Sequence, residues 1–303
     1  MTNYLTYEDV LRLETESLIL IDSGAEAREI SGWYKQEVYE KKTFAQMDHS
    51  YLQVVLENLT RFLNLVALPQ IFTTSRVVAE IARFKEKIHE KLENLIRREN
   101  SNYKTHIKKH EEHENYTREL FEDIMLTYKE IHRLAGKSTF APSDVKFDNL
   151  VKVMSTVADN TFNIKDYGLR HEDEHMRRSD DLRADDELVA AALYSSFDKK
   201  PSAIMTGDSD LIILLENAVR FLGNQDMQRH THVLSALRNH PVHIYFVSAE
   251  GLKCETDSAQ IETARFFNIP NKKGSELATV KGDFDHCLKL FFPSTEPNLV
   301  PKY

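Results

Sequence analysis

The sequence predicts an α/β fold in which helices cover both faces of a parallel sheet, a three-layer α/β/α arrangement. Four short runs rich in β-branched residues are bounded by polar residues, as expected of strands buried on both faces of a sheet. Helical patterns lie between all four runs. This alternation is typical of a doubly wound α/β layer.

The predicted strands come in two pairs, one before and one after a long central segment. In chain order they are Ser17–Ile21, Gln70–Thr73, Ala203–Thr206 and Val242–Val247. The helix that follows Ser50 shows the pattern of the intervening segments. Its apolar residues recur every three or four positions from Val54 to Val66 and form one apolar face, and it ends near Pro69.

The segment between the second and third strands has a different character. Basic and acidic residues nearly balance from Arg83 to Arg133, whereas the rest of the chain is acidic. Two apolar stripes at helical spacing flank a polar stretch, which predicts a helical hairpin or arm that stands off the body. We therefore divide the chain into a body (residues 1–82 and 182–248), a helical insertion (83–181) and a C-terminal extension (249–303) with a helix near Ser258–Phe267.

Composition excludes several classes of protein. The 303 residues suffice for a large core, and the net charge of −9 has the wrong sign for a protein that holds nucleic acid by charge alone. Two cysteines cannot form a disulfide framework. The first residues lack the layout of a signal peptide, and no apolar run is long enough for a membrane span. We expect a cytoplasmic protein that does not contact a membrane.

Acidic residues follow the predicted strands. One follows the first strand directly, one lies about two helical turns past the second, and two follow the third, while an acidic pair opens the helix DDELVAAALY. In that order they are Asp22, Glu80, Asp208 with Asp210, and Asp185 with Asp186. Because the carboxyl ends of parallel strands meet at one edge of a sheet, we expect these side chains to converge there.

Converging carboxylates repel one another unless a positive charge compensates them. Mg²⁺ or Mn²⁺ prefers oxygen ligands, and a pair of such ions activates water in phosphodiester hydrolysis. The cations would also let a polyanion approach an acidic edge. Thr206 is placed to hydrogen-bond a ligating carboxylate or the attacking water. The alternative is that Asp22, Asp185 and Asp208 only cap helices.

The order of these acids resembles that of the PIN-domain nucleases, within the wider group that includes flap-type 5′ nucleases. The matching pieces cover the body and not the insertion or the extension; they are LILIDSGAE, IFTTSRVVAEI, DDELVAAALY and IMTGDSDLIILL. The resemblance implies a parallel α/β sandwich and an endoribonuclease that depends on Mg²⁺ or Mn²⁺. It implies cleavage of single-stranded or structured RNA by metal-activated water, which leaves 5′-phosphate and 3′-hydroxyl ends.

The resemblance also assigns residue roles. It makes Asp22, Glu80, Asp186 and Asp208 the metal-ligating quartet and adds Asp210 as an auxiliary acid of the catalytic and metal-binding set, with Asp185 and Thr206 as auxiliary residues. Asp186 is preferred to Asp185 because the family pattern places the acid two residues before the Leu-Val-Ala-Ala run. The long insertion departs from the compact toxins of this family; it would select the RNA, form a homodimer or bind a protein partner.

Three other interpretations stay open at this point. The chain is also compatible with an interaction scaffold that keeps the fold without turnover. A structure-specific DNA nuclease would carry a basic arch, which the nearly neutral insertion disfavours. The zinc-protease pattern H-E-x-x-H occurs at His171, Glu172 and His175, but its segment is charged on every face, unlike the half-buried helix of such a site.

Overall fold

A computed structural model of the chain describes residues 4–23, 25, 49–83, 85–86, 90, 111–161, 184–224, 227, 229–248, 251–262 and 275–293. Its centre is a five-stranded sheet. The strands are β1 (Leu18–Ile21), β2 (Ile71–Phe72), β3 (Ser202–Thr206), β4 (Val242–Ser248) and β5 (Gly251–Asp257).

The strand order β2-β1-β3-β4-β5 creates a switch point between β1 and β3. From β1 the chain moves to β2 on one side and later returns to β3 on the other. The first four strands are parallel, and β5 runs antiparallel to β4. In open α/β sheets, ligands bind outside the carboxyl ends of the strands at such a switch point. The acids that follow β1 and β3 lie on either side of it.

Helices surround the sheet. They are α1 (Tyr7–Leu13), α2 (His49–Val66), α3 (residues 75–83), α4 (Glu111–Lys137), α5 (Val145–Thr161), α6 (Ala184–Phe197), α7 (Ser209–Leu222), α8 (His230–Asn239) and α9 (Ser275–Phe291). The most deeply buried is α6, whose residues 188–193 are all 0% exposed, because it packs between β3 and α5. No helix in these ranges has the length and apolar composition needed to span a membrane.

The predicted α/β class with a mostly parallel sheet is confirmed, and the arrangement is compatible with three layers. All four predicted strands are present, and no strand end is shifted by more than one residue. The strand β5 and the helix α9 were not predicted. Of the helix expected near Ser258–Phe267, the described residues contain a short 3₁₀ helix, Ser258–Gln260; residues 263–267 lie outside them.

The described half of the insertion packs onto the body instead of standing off it. Helix α4 lies along α2, and α5 lies against α6. Phe121, Ile131 and Leu150 are fully buried in the common core. After α4 the chain hydrogen-bonds to the end of β2, where the Thr73 N–H donates to the Ser138 carbonyl at 3.0 Å. The first predicted stripe of the insertion lies largely outside the described residues.

The N-terminal segment covers the outer side of β5. Leu5 and Leu252 exchange two backbone hydrogen bonds, of 2.8 and 2.9 Å. Gly251 permits this approach, since its φ is +127° and a Cβ there would lie 2.9 Å from the Leu5 carbonyl oxygen. Leu5 is therefore paired with β5, the strand at one edge of the sheet.

A buried polar network ties α1 to the sheet at the edge opposite the switch point. Glu14, which is 4% exposed, accepts hydrogen bonds from Ser17 Oγ at 2.5 Å and Tyr245 Oη at 2.6 Å. His243 Nδ1 lies 2.6 Å from the same carboxylate, and its Nε2 is 3.9 Å from Asp257. This network joins α1, β4 and β5.

Candidate functional site

The switch point is bridged by a chain of hydrogen bonds between β1 and β3. Asp22 follows β1 directly and is 3% exposed. Thr206, the last residue of β3, donates from Oγ1 to Asp22 Oδ2 at 2.7 Å. The same hydroxyl accepts from the Asp208 N–H at 2.9 Å. Thr206 therefore orients Asp22 and fixes the turn that carries Asp208.

Asp208 is also the N-cap of α7, as the capping alternative predicted. Its Oδ1 accepts from the Asp210 backbone N–H at 2.9 Å. Asp208 is exposed, and Asp210 lies in the first turn of α7. The cap hydrogen bond uses Oδ1 and positions Asp208 at the switch point. The cap and a role at the site are therefore compatible.

Glu80 comes from α3 and is held beside Asp22. Ser23 Oγ donates to Glu80 Oε2 at 2.8 Å and lies 3.5 Å from Asp22 Oδ1. The Ala184 backbone N–H also donates to Glu80 and thereby ties α3 to the start of α6. Burial, and then the charge of Asp22, raise the pKa of Glu80 to about 7.

Asp185 is the carboxylate on which the cluster converges. Burial raises its pKa well above the usual value for aspartate, and the charges of Asp22, Asp208, Glu80 and Asp186 raise it further. These acids come from separate segments of the chain. Their combined repulsion would be relieved by a bound cation.

Asp186 has a different set of contacts from its neighbour. It is 1% exposed, and its Oδ2 accepts from Ser155 Oγ of α5 at 2.8 Å. The same oxygen lies 3.8 Å from Arg76 Nη1 of α3. Asp186 is therefore held by α5 and α3, whereas the charges of the other acids act together on Asp185. Adjacent helical residues point about 100° apart, so the two side chains have different neighbours.

Three residues that support the site were missed by the sequence analysis. Glu187 accepts from Ser75 Oγ and from the Arg76 N–H, both at 2.7 Å, at the start of α3. Ser23 positions Glu80, and Ser155 holds Asp186. Each is adjacent to a predicted acid or lies on a packed helix, and only the tertiary contacts show its role. The H-E-x-x-H segment, residues 171–175, lies outside the described residues.

The donor atoms of the cluster determine which cation would suit it. Within the described ranges, no three His, Cys, Asp or Glu side chains are arranged to hold a metal ion directly. The cluster offers carboxylate and hydroxyl oxygens, the donors that hard cations prefer. Mg²⁺ commonly keeps several waters and takes only one or two carboxylates directly. Oxygen donors of this kind are more typical of hard-cation sites than of zinc sites, which are rich in His and Cys.

Comparison with models of known protein families finds no match, and searches of characterised proteins and of solved structures also find no significant match.

Proposed function

We propose that the chain is a nuclease that hydrolyses phosphodiester bonds of single-stranded RNA with Mg²⁺ or Mn²⁺ at the acid cluster. The observation that supports this most directly is the convergence of Asp22, Glu80, Asp185 and Asp208 on the switch point, with the pKa values of Glu80 and Asp185 raised. Such a cluster is electrostatically unfavourable without a cation. The PIN-like order of the acids is compatible with the same activity.

The residues of the site have two roles: acids would hold the cation, and hydroxyl side chains orient these acids. Asp22 and Asp185 would hold the cation, with Asp208 and Glu80 reaching it directly or through water. Thr206 fixes the orientation of Asp22, and Ser23 fixes that of Glu80. When bound, the divalent cation would activate a water molecule and stabilise the leaving oxygen.

Net charge explains why the cation would matter for binding as well as for chemistry. The chain carries a net charge of −9, and the switch point adds local negative charge. A polyanion is repelled by such a surface. Partial neutralisation of Asp185 and its neighbours would let a phosphodiester reach the edge of the sheet.

The test is an incubation of the protein with end-labelled single-stranded RNA and single-stranded DNA, in Mn²⁺ or in EDTA. We expect cleavage of RNA in Mn²⁺ only, and its loss in the Asp185→Asn and Asp208→Asn variants. Asp198→Asn is the matched control, because Asp198 is exposed just past the opposite end of α6. Cleavage that survives both site substitutions would contradict the proposal, and preferential cleavage of DNA would identify a DNA nuclease instead.

A second candidate function is an interaction scaffold that keeps the fold without turnover. It is favoured by the absence, within the described ranges, of three side chains arranged to ligate a metal directly. The same experiment separates the two candidates. A protein that cleaves neither polymer in Mn²⁺ or Mg²⁺ would be assigned to the scaffold class.

A further inference from the structure

One face of α3 carries a cation, an acid and a second cation. Arg76, Glu80 and Arg83 are spaced by four and three residues, which places all three side chains on the same side of the helix. With a rise of about 1.5 Å per residue, the two arginines are about 10 Å apart along the helix axis. Glu80, the member of the acid cluster, lies between them.

Arg76 lies at the margin of the cluster. It is in the first turn of α3, and its Nη1 is 3.8 Å from Asp186, the neighbour of Asp185. The Arg76 backbone N–H donates to Glu187 at 2.7 Å, which fixes the start of α3 against α6. The Arg76 side chain remains 22% exposed. Its position is therefore fixed by α6, while part of it still faces solvent.

Arg83 lies on the other side of Glu80. Its charge acts on the Glu80 carboxyl and lowers its pKa, against the larger raising effects of burial and Asp22. The Arg83 side chain is partly exposed. Lys85, two residues further on, acts on His132 of α4 instead, so its charge is directed away from the cluster.

We propose that Arg76 and Arg83 bind two different phosphates of a single-stranded RNA, one on each side of the phosphodiester held at the acid cluster. Arg76 and Arg83 lie about one helical turn on either side of Glu80, so each guanidinium is placed to meet the strand on its own side of the acid cluster. Guanidinium groups bind phosphate oxygens well because of their planar array of donors. This inference rests on the proposed nuclease function and places the path of the RNA strand along α3.

The test measures RNA binding separately from cleavage. A fluorescent single-stranded RNA is titrated with the full chain in Ca²⁺, and a gel verifies that the RNA stays intact. The dissociation constant is measured by anisotropy between 50 and 200 mM salt. For a single strand, each lost phosphate contact lowers the slope of log K against log salt by roughly 0.7.

We expect Arg83→Ala to lower that slope by roughly 0.7 and to weaken binding about 3- to 10-fold at the lowest salt, with a larger loss in Arg83→Glu. Arg76→Gln should have an effect similar to Arg83→Ala, and the double variant should lose roughly 1.4 in slope. Arg76→Lys keeps the charge beside the buried Asp186 and should keep the slope. Lys85→Ala, on the same stretch of chain, is the matched control and should bind as the wild type does.

A thermal melt shows whether Arg76→Gln folds. If it does not fold, the binding measurements on the Arg83 variants test the inference. If the wild type cleaves RNA while Arg83→Ala and Arg83→Glu keep its slope and affinity, this inference is wrong and the nuclease function stands. If the wild type neither binds nor cleaves RNA, the proposed function and this inference fail together.

Discussion

Asp185 and Asp186 are adjacent in the chain and have different environments. Asp185 lies among the carboxylates of the switch point, whereas Asp186 is buried against Ser155 and Arg76. The sequence pattern DDELVAAALY identifies the start of α6 but not the rotation of the helix about its axis. The contacts of Asp186 with Ser155 and Arg76, and the charges that act on Asp185, distinguish the two residues.

Substitution of the two acids should therefore have opposite consequences. Asp185→Asn removes a repelled charge, so we expect loss of RNA cleavage with an unchanged or higher free energy of unfolding. Asp186→Asn removes the counter-charge of Arg76 and should lower the free energy of unfolding by about 1–3 kcal/mol. Urea unfolding and the cleavage assay measure the two effects. Equal destabilisation by both substitutions would show that the cluster is not centred on Asp185.

Glu80 should reduce the stability of the fold at neutral and alkaline pH. Its folded pKa of about 7 is above the usual value, so the protonated form is favoured by folding. Preferential protonation of Glu80 in the folded state therefore contributes fully to the free energy of unfolding below about pH 4.5. This contribution is lost as the pH rises through 7. In EDTA at pH 8 we expect Glu80→Gln to unfold with a free energy about 1–2 kcal/mol higher than the wild type. The difference should disappear at pH 4.5, and a difference of equal size at both pH values would contradict the assignment.

Among the elements, the buried parallel strands were predictable and β5 was not. β1 and β3 consist mainly of apolar and β-branched residues because both of their faces are covered. β5 has the sequence GLKCETD, with Cys254 and Glu255 exposed, and its pairing with β4 contains a bulge. Leu252, Cys254 and Thr256 alternate with charged residues, but this period-2 signal is short and contains only one strongly apolar residue, so it did not identify the strand.

The helices of the insertion show a related limit. The sequence predicts an apolar stripe on α4 made of Leu120, Phe121, Ile124, Leu126 and Ile131. Leu126 is 63% exposed and does not belong to the buried face. Periodicity indicates that a face is buried but does not identify what buries it. The stripe is covered by the body, with α2 as the main partner of α4, and this could be learned only from the packing.

The network between α1, β4 and β5 should make stability depend on pH in a defined window. The hydrogen bond to Glu14 raises the pKa of His243, so the stability from His243 is present below about pH 6.5 and is lost as pH rises through the raised value. Burial opposes ionisation of Glu14, but the hydrogen bonds from His243, Ser17 and Tyr245 lower its pKa. Stability from Glu14 is therefore present above about pH 4.5 and is lost as pH falls further.

We expect His243→Gln to lower the free energy of unfolding by about 1–2 kcal/mol at pH 5.5 and by less at pH 8.5. Chemical denaturation at the two pH values measures this difference. The control is His286→Gln, because His286 is exposed on α9. An effect of His243→Gln that does not change with pH would show that the Glu14–His243 contact contributes only packing.

Binding of a cation at the acid cluster should raise the melting temperature of the whole protein. Any ligand that binds only the folded state stabilises it, by about 2.7 kcal/mol at a hundredfold excess over its dissociation constant. For a chain of this size we expect saturating Mn²⁺ to raise the melting temperature by about 2–6 °C. Asp22→Asn and Asp185→Asn should lose the shift, and Asp198→Asn should keep it. A shift of equal size in all of these variants would place the bound cation elsewhere on the surface.

The backbone pairing of Leu5 with Leu252 has a consequence for molecules that meet one another. A sheet whose outermost strand presents bare amide and carbonyl groups recruits strands from other molecules, and fibrils grow by such recruitment. Here the chain fills part of that position with its own residue, and Gly251 lets it approach closely. Leu5 therefore blocks part of the edge along which β5 could pair with a strand of another molecule.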